Sequence, residues 1–192
     1  LIGGDAAQAL VMYERAVPLG GARRHEVMLR ASIAAERAGA LEKAGGFVKR
    51  LLQDSSAQAF RREAILEAIR IAVAGKNAQE AVRLTMEFAD RYPDDAEIPR
   101  LLVSAAQLAQ NPLKEYRQAL AFSERVLTDH ATSPLVDDAL YSVATALHHS
   151  GSLDEGVEHY ESLIHRFPSS EFVLHARKGL ETIRLFEAKD KE

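Results

Sequence analysis

The sequence predicts an all-α protein made of antiparallel helix pairs that stack side by side into a solenoid. Apolar residues recur at helical spacing, glycine and proline interrupt these stretches at regular places, and one small residue returns at nearly constant intervals. The small residues lie 35, 37, 38 and 37 positions apart, at Ala9, Ala44, Ala81, Ala119 and Gly156. A period in this range indicates a repeat protein, in which each unit buries its apolar face against its neighbours.

The clearest helix pair lies at residues 134–170. Its first helix carries an apolar stripe at i, i+3, i+4 and i+7, formed by Leu140, Val143, Ala144 and Leu147. Gly151 is predicted to end this helix, because glycine readily adopts the left-handed conformation that follows a helix C-terminus.

The second helix of this pair is predicted to start at a Ser152 cap and to stop before Pro168. Its apolar side carries Tyr160 and Leu163. Gly156 is expected at the crossing with Ala144 of the first helix, because small side chains allow two backbones to approach closely.

The same layout is predicted upstream with weaker signals. The predicted segments are a half-repeat at 1–23, hairpins at 24–56, 57–95, 96–133 and 134–170, and a closing helix at 171–188. Gly45 and Gly46 lie inside a predicted helix, where each glycine costs about 1 kcal/mol relative to alanine. Their presence indicates close packing, a less stable first turn of the helix, or both.

The 134–170 pair resembles the tetratricopeptide repeat (TPR) family. The matching positions are Leu140, Val143, Ala144, Leu147, Gly151, Gly156, Tyr160, Leu163 and Pro168, with Gly156 in place of the usual alanine. The resemblance implies a right-handed superhelical TPR solenoid that works as a protein-protein interaction scaffold.

Two segment endings, Tyr92-Pro93-Asp94-Asp95 and Phe167-Pro168-Ser169-Ser170, resemble the TPR subtype of bacterial cell-envelope proteins. This likeness implies a periplasmic location in an outer-membrane or secretion complex. The subtype also occurs in cytoplasmic proteins, so the sequence leaves the compartment open.

Composition excludes several classes of function. The chain has 192 residues, no cysteine and a net charge of −4, so disulfides and thiol catalysis are excluded and nucleic-acid binding is not expected. No stretch is long and apolar enough to predict direct membrane insertion. Because the first residue is Leu1 and not an initiator methionine, we expect the chain to be a piece of a longer protein.

The sequence contains no motif for phosphate binding or hydrolysis, so we expect no enzymatic activity and no cofactor. Five of the seven histidines lie late in the chain, at His148, His149, His159, His165 and His175. Their spacing does not match a ligand set on one helix face, so surface histidines are predicted and not a metal site.

A binding surface remains as the functional hypothesis. In a TPR stack the first helices line a concave groove, and their side chains outside the packing face point into it. The candidate partner-binding residues are Glu26, Arg30, Ile33, Arg37, Glu63, Glu67, Arg70, Arg100, Ser104, Gln107, Asp138, Tyr141, Thr145, His148 and His149. The alternative is that these are simply solvated first-helix residues.

The sequence therefore predicts a scaffold that binds a peptide segment or protein partner, with Tyr141 as an aromatic anchor. Two other functions stay open. One is self-association or structural stacking through the open N-terminal end of the array. The other is a regulatory role within a larger multidomain enzyme.

Overall fold

The structure is a computed structural model, and it describes residues 2–19 and 21–189. Within these ranges every regular element is a helix and there is no strand, which confirms the predicted all-α class. The chain divides into two compact units, residues 1–92 and 93–192, which are described separately. The prediction of one array over residues 1–192 therefore stays a prediction.

The described residues of the first unit form five α-helices. They are α1 (Ile2–Ala16), α2 (Arg24–Arg37), α3 (Leu41–Gln53), α4 (Arg61–Ala74) and α5 (Ala78–Arg91). Short 3₁₀ turns at Val17–Leu19, Gly21–Arg23 and Ser55–Phe60 connect some of them. The 3₁₀ turn before α4 takes up the start of the predicted 57–95 hairpin.

Each helix of the first unit packs against the next one, and α2 also packs directly against α4. Leu10 of α1, Met28 of α2 and Phe47 of α3 belong to one buried cluster that reaches Ala64 of α4. The first helices of successive pairs are therefore neighbours, as the stacking of a helical repeat requires.

The second unit repeats this arrangement with α6 (Ile98–Gln110), α7 (Tyr116–Asp129), α8 (Val136–Ser150), α9 (Leu153–Arg166) and α10 (Val173–Lys189). Each of these helices packs against the next, and α8 also contacts both α6 and α10. Leu140, Tyr160, Leu163 and Ile183 form a buried cluster between α8, α9 and α10.

The predicted turn residues behave as expected at α8 and less so at α9. Gly151 is left-handed with φ of 91°, and the Ser152 amide donates to the Leu147 carbonyl. Ser152 occupies the position before α9, but its side chain makes no capping hydrogen bond, so the predicted cap is wrong in this respect. An added Cβ at Gly156 would lie 3.4 Å from the Ala144 carbonyl oxygen, which confirms the predicted crossing.

Close packing does not explain Gly45 and Gly46. A Cβ added at either position would meet no atom within 4 Å, so the close-packing interpretation is corrected. In addition, none of the described helices is both long and apolar enough to cross a membrane.

Candidate functional site

In the first unit, three predicted residues line a cleft between α1 and α2. The cleft has a volume of about 590 Å³. Arg30, Ile33 and Arg37 of α2 form one wall, and Tyr13 and Asp5 of α1 lie on the other. We call this space the α1–α2 cleft. Its α1 wall was missed by the sequence analysis, because spacing along one helix does not reveal which residues lie opposite.

The two arginines of the α1–α2 cleft are in different electrostatic states. Arg30 lies 2.9 Å from the Glu26 carboxylate. Hydrogen bonding to Glu26 first, and to Tyr13 second, raises the pKa of the Arg30 guanidinium. Arg37 is exposed and forms no ion pair within the part of the chain that the structure describes. Arg37 is therefore the cation that is available to an acidic group of a partner.

The structure corrects the prediction for Glu67, because its side chain is fully buried and cannot face a partner. The Arg70 Nε donates to Glu67 Oε2 over 2.9 Å, and the Ser32 hydroxyl lies 3.4 Å from Oε1. Ser32 belongs to α2, so the carboxylate lies in the contact between α2 and α4. Arg70 is half exposed, but its charge neutralises a buried group. Glu63 is partly exposed beside Arg62.

In the second unit, the three candidates of α6 follow one another at helical spacing. Arg100 is exposed and forms an ion pair with Glu97, with 2.5 Å between Nη2 and Oε2. Gln107 is also exposed, and Ser104 is half-buried. These three residues offer polar contacts and no apolar anchor.

Aromatic and histidine rings surround the exposed side of α8. The Tyr141 ring stacks on Phe172, the residue before α10, with centroids 4.8 Å apart and an interplanar angle of 16°. His175 of α10 lies 6.1 Å from the Tyr141 ring. The Thr145 hydroxyl donates to the Tyr141 carbonyl over 2.8 Å, and the Tyr160 hydroxyl lies 3.4 Å from Thr145 Oγ1.

Two adjacent histidines lie further along α8, and the His148 ring meets the Tyr160 ring edge to face at 6.3 Å. The rings of His148 and His149 stack at 5.4 Å with an angle of 9°, and Tyr116 of α7 stacks on His149 at 5.4 Å. Burial, and then the neighbouring His149, lower the pKa of His148. A lowered pKa favours the neutral imidazole, which suits a stacked aromatic role.

We call the rings of Tyr116, Tyr141, His148, His149, Phe172 and His175 the α8 aromatic patch. The three members on α8 were predicted from the sequence, whereas Tyr116, Phe172 and His175 were not. Tyr116 is the first residue of α7, and Phe172 immediately precedes α10. Only the packing of α7 and α10 against α8 brings these rings into contact with the rings of α8.

Asp138 lies at the other end of α8. Burial, and then the charges of Asp137 and Glu171, raise the pKa of its carboxyl group. No group of three or more metal-ligating side chains occurs among the residues that the structure describes. The arrangement offers stacking, hydrogen bonding and charge pairing to a partner.

A family model described as "Tetratricopeptide repeat" matches residues 138–170. The match spans nearly all of α8 and α9, and it contains the five candidate residues of α8. The search of curated proteins found no match to the chain. TPR hairpins stack into arrays that present extended surfaces to proteins or peptides, and they are generally non-catalytic modules. The chain therefore contains a tetratricopeptide repeat at residues 138–170, within an all-helical series of packed hairpins.

Proposed function

We propose that the chain is a non-enzymatic scaffold that binds a peptide segment or protein partner through its first helices. The observation that carries this proposal is the α8 aromatic patch, whose members on α8 lie inside the tetratricopeptide repeat. Tyr141 is half-buried and braced by Phe172, so it loses little conformational freedom when a partner covers it. Aromatic side chains held in this way are frequent anchors of protein interfaces.

The first unit offers a second contact of a different kind. Arg37 and Tyr13 line the α1–α2 cleft together with Asp5, and Arg37 forms no ion pair within the described part of the chain. An acidic side chain of the partner would therefore gain a charge-assisted hydrogen bond there. Arg70 is less suitable, because its guanidinium is already held by the buried Glu67.

A pull-down of the full-length protein from its source cells, followed by mass spectrometry, tests this proposal. We expect Tyr141→Ala and Arg37→Glu each to lose the captured partner. Tyr141→Phe, which keeps the ring, and Arg91→Glu, which reverses an exposed charge outside the first helices, should retain it. Equal capture by Tyr141→Ala and the wild type, with unchanged circular dichroism, would place the interaction elsewhere.

Self-association is a second candidate function, supported by exposed apolar residues on α1. Met12 is 72% exposed and Val11 is 47% exposed. Covering both in an interface between two copies would remove apolar surface from water. Light scattering over a concentration series tests this candidate, which predicts a mass that rises with concentration and returns to the monomer value in Met12→Glu. A monomer at all concentrations contradicts it.

A location in a bacterial envelope complex also belongs to the proposal. Its support is the likeness of the segments at Tyr92 and Phe167 to the endings of envelope-type repeats. A reporter enzyme that is active only after export, fused to the full-length protein, tests this location. Activity of a fused reporter that works only in the cytoplasm, without activity of the export-dependent one, would contradict it.

A further inference from the structure

A second groove lies in the first unit, away from the first-helix candidates. Its volume is about 580 Å³. One face of α3 forms a wall from Leu41 to Gln53, α4 provides Ala68 and Ile71, and Leu84 of α5 lies opposite. None of the residues that line it belongs to the candidate set of the first helices. We call it the α3–α5 groove.

Gly45 keeps the wall of the α3–α5 groove open. It lines the groove, and a Cβ added there would meet no atom within 4 Å. The glycine therefore does not serve the packing of α3 against its neighbours. Gly45 makes the helix less stable than alanine would. Its missing side chain leaves a channel beside Val48 and Leu52.

Charged residues of α3 and α5 lie on the two sides of this apolar channel. Glu42 and Lys49 of α3 are exposed, both line the groove, and neither forms an ion pair within the described part of the chain. They are seven residues apart, which corresponds to about 10 Å along a helix. On the α5 side, Arg83 is already paired with Glu80 at 2.7 Å and Glu87 at 3.3 Å.

We propose that the α3–α5 groove binds an amphipathic α-helix of a partner protein. The lined face of α3 covers about 18 Å, which is the length of three helical turns. A helix with an apolar stripe at i, i+3 or i+4, and i+7 would fill the channel beside Gly45. A basic residue at one end of the stripe would face Glu42, and an acidic residue two turns away would face Lys49.

A helical occupant also follows from the walls of the groove. They are helices, and no strand edge occurs in the part of the chain that the structure describes, so an extended peptide would find no backbone ladder to join. This inference does not depend on the α8 aromatic patch or on the α1–α2 cleft, and the variants that test it leave both surfaces unchanged.

The probe for this proposal is a synthetic amphipathic peptide of about 15 residues, stapled into a helix and labelled for fluorescence anisotropy. It carries three leucines on one face, with one lysine and one glutamate two turns apart at the ends of the stripe. A peptide of the same composition with its leucines dispersed around the helix is the control. We expect the first peptide to bind and the control to remain unbound.

Gly45→Leu and Gly46→Leu form a matched pair of variants. Both positions have open space for a side chain, but only Gly45 lines the groove. We expect Gly45→Leu to weaken peptide binding at least about tenfold, because its side chain occupies the channel, and Gly46→Leu to bind like the wild type. Urea denaturation should find both variants at least as stable as the wild type.

A charge exchange completes the test. Lys49→Glu should weaken binding of the original peptide, and a peptide with lysine in place of its glutamate should restore it. The proposal is overturned if Gly45→Leu binds as tightly as the wild type or if no peptide binds at millimolar concentration. It is also overturned if Gly45→Leu abolishes only self-association in light scattering, since a second copy would then be the occupant.

Discussion

The ring of Tyr160 lies directly over Gly179, where a side chain would not fit. An added Cβ at Gly179 would lie 2.6 Å from Cζ of Tyr160, and the tyrosine itself is only 2% exposed. The contact joins α9 to α10 and holds the ring that also lies near Tyr141. Gly179 therefore sets how closely the last helix approaches the tetratricopeptide repeat.

Gly179→Ala is expected to destabilise the protein by about 1–2 kcal/mol. Overpacking a buried site costs about 1–3 kcal/mol, and the better helix propensity of alanine offsets part of that cost. Urea denaturation measures the change. Glu181→Ala, an exposed position of the same helix, is the control and should stay within about 0.5 kcal/mol of the wild type. A stabilised Gly179→Ala would show that the ring moves freely.

Arg70→Ala should cost much more stability than Arg30→Ala, although both arginines are exposed and both pair with a glutamate on their own helix. Losing Arg70 leaves the buried Glu67 carboxylate unpaired, which costs about 3–5 kcal/mol in a fully buried pair and less here, because Arg70 is half exposed. Losing Arg30 leaves a partly exposed Glu26 that water can solvate, at a cost below about 1 kcal/mol.

Urea denaturation of the two arginine variants tests this difference. Adding Glu67→Gln to Arg70→Ala should recover part of the loss, because the neutral amide removes the buried charge. Equal stability of Arg70→Ala and Arg30→Ala would contradict the assigned role of Glu67.

Asp54 should make stability depend on acid pH. Hydrogen bonds from the Ser56 hydroxyl first, and from His25 next, hold the pKa of the Asp54 carboxyl well below its usual range. Because the folded-state pKa is lowered, the Asp54 carboxylate stabilises the fold at pH values above the unfolded-state pKa of about 3.9. This stabilisation is lost as the pH falls below that value. Asp54→Asn should therefore be less stable at pH 7 and should lose less stability between pH 4 and pH 2.

Thermal unfolding across this pH range measures the effect. Glu161→Gln, at an exposed carboxylate in the middle of α9 without an ion pair in the described part of the chain, is the control for removing an exposed charge. Parallel curves for Asp54→Asn and the wild type would contradict the prediction.

Asp138→Asn should increase stability at neutral pH. Burial and the charges of Asp137 and Glu171 raise the pKa of Asp138, and its backbone hydrogen bond opposes this shift more weakly. As the pH rises, the unfolded chain therefore loses the Asp138 proton at a lower pH than the folded protein does. The free energy of unfolding falls as the pH rises from about 3.9 towards the raised folded-state pKa.

The gain for Asp138→Asn at pH 7 should stay below about 1 kcal/mol, because solvent screens a partly exposed carboxylate. At pH 3 the gain should vanish. Asp154→Asn, in the first turn of α9, is the control and should gain nothing, since its charge is favourable at a helix N-terminus. If Asp138 contacts a partner, the stabilised variant should also bind that partner less tightly.

The sequence predicted the elements well because their signals are local. The apolar spacing of Leu140, Val143 and Leu147 depends on the geometry of one helix. Gly151 has the left-handed conformation that its place after α8 predicts. The crossing of Gly156 with Ala144 could also be predicted, because adjacent helices joined by a tight turn must pack against each other.

Relationships between helices of different pairs could not be predicted in the same way. Glu67 has the spacing of a surface residue on α4, and only the contact of α4 with α2 buries it. The α8 aromatic patch combines rings from α7, α8 and α10, and no pattern within one helix places Tyr116 beside His149. Gly45 has the sequence signal of close packing, whereas the structure leaves open space beside it.

The sequence by itself determined the helical class, the apolar spacing within helices and the turn at Gly151, because hydrophobic periodicity and backbone preferences act over a few residues. The tertiary structure alone decided which side chains are buried, which charges are neutralised and which faces remain open. Those properties depend on the distance between helices that are far apart in the chain. Arg37 and Tyr141 were predicted from spacing, whereas their surroundings and the open space beside Gly45 depend on packing.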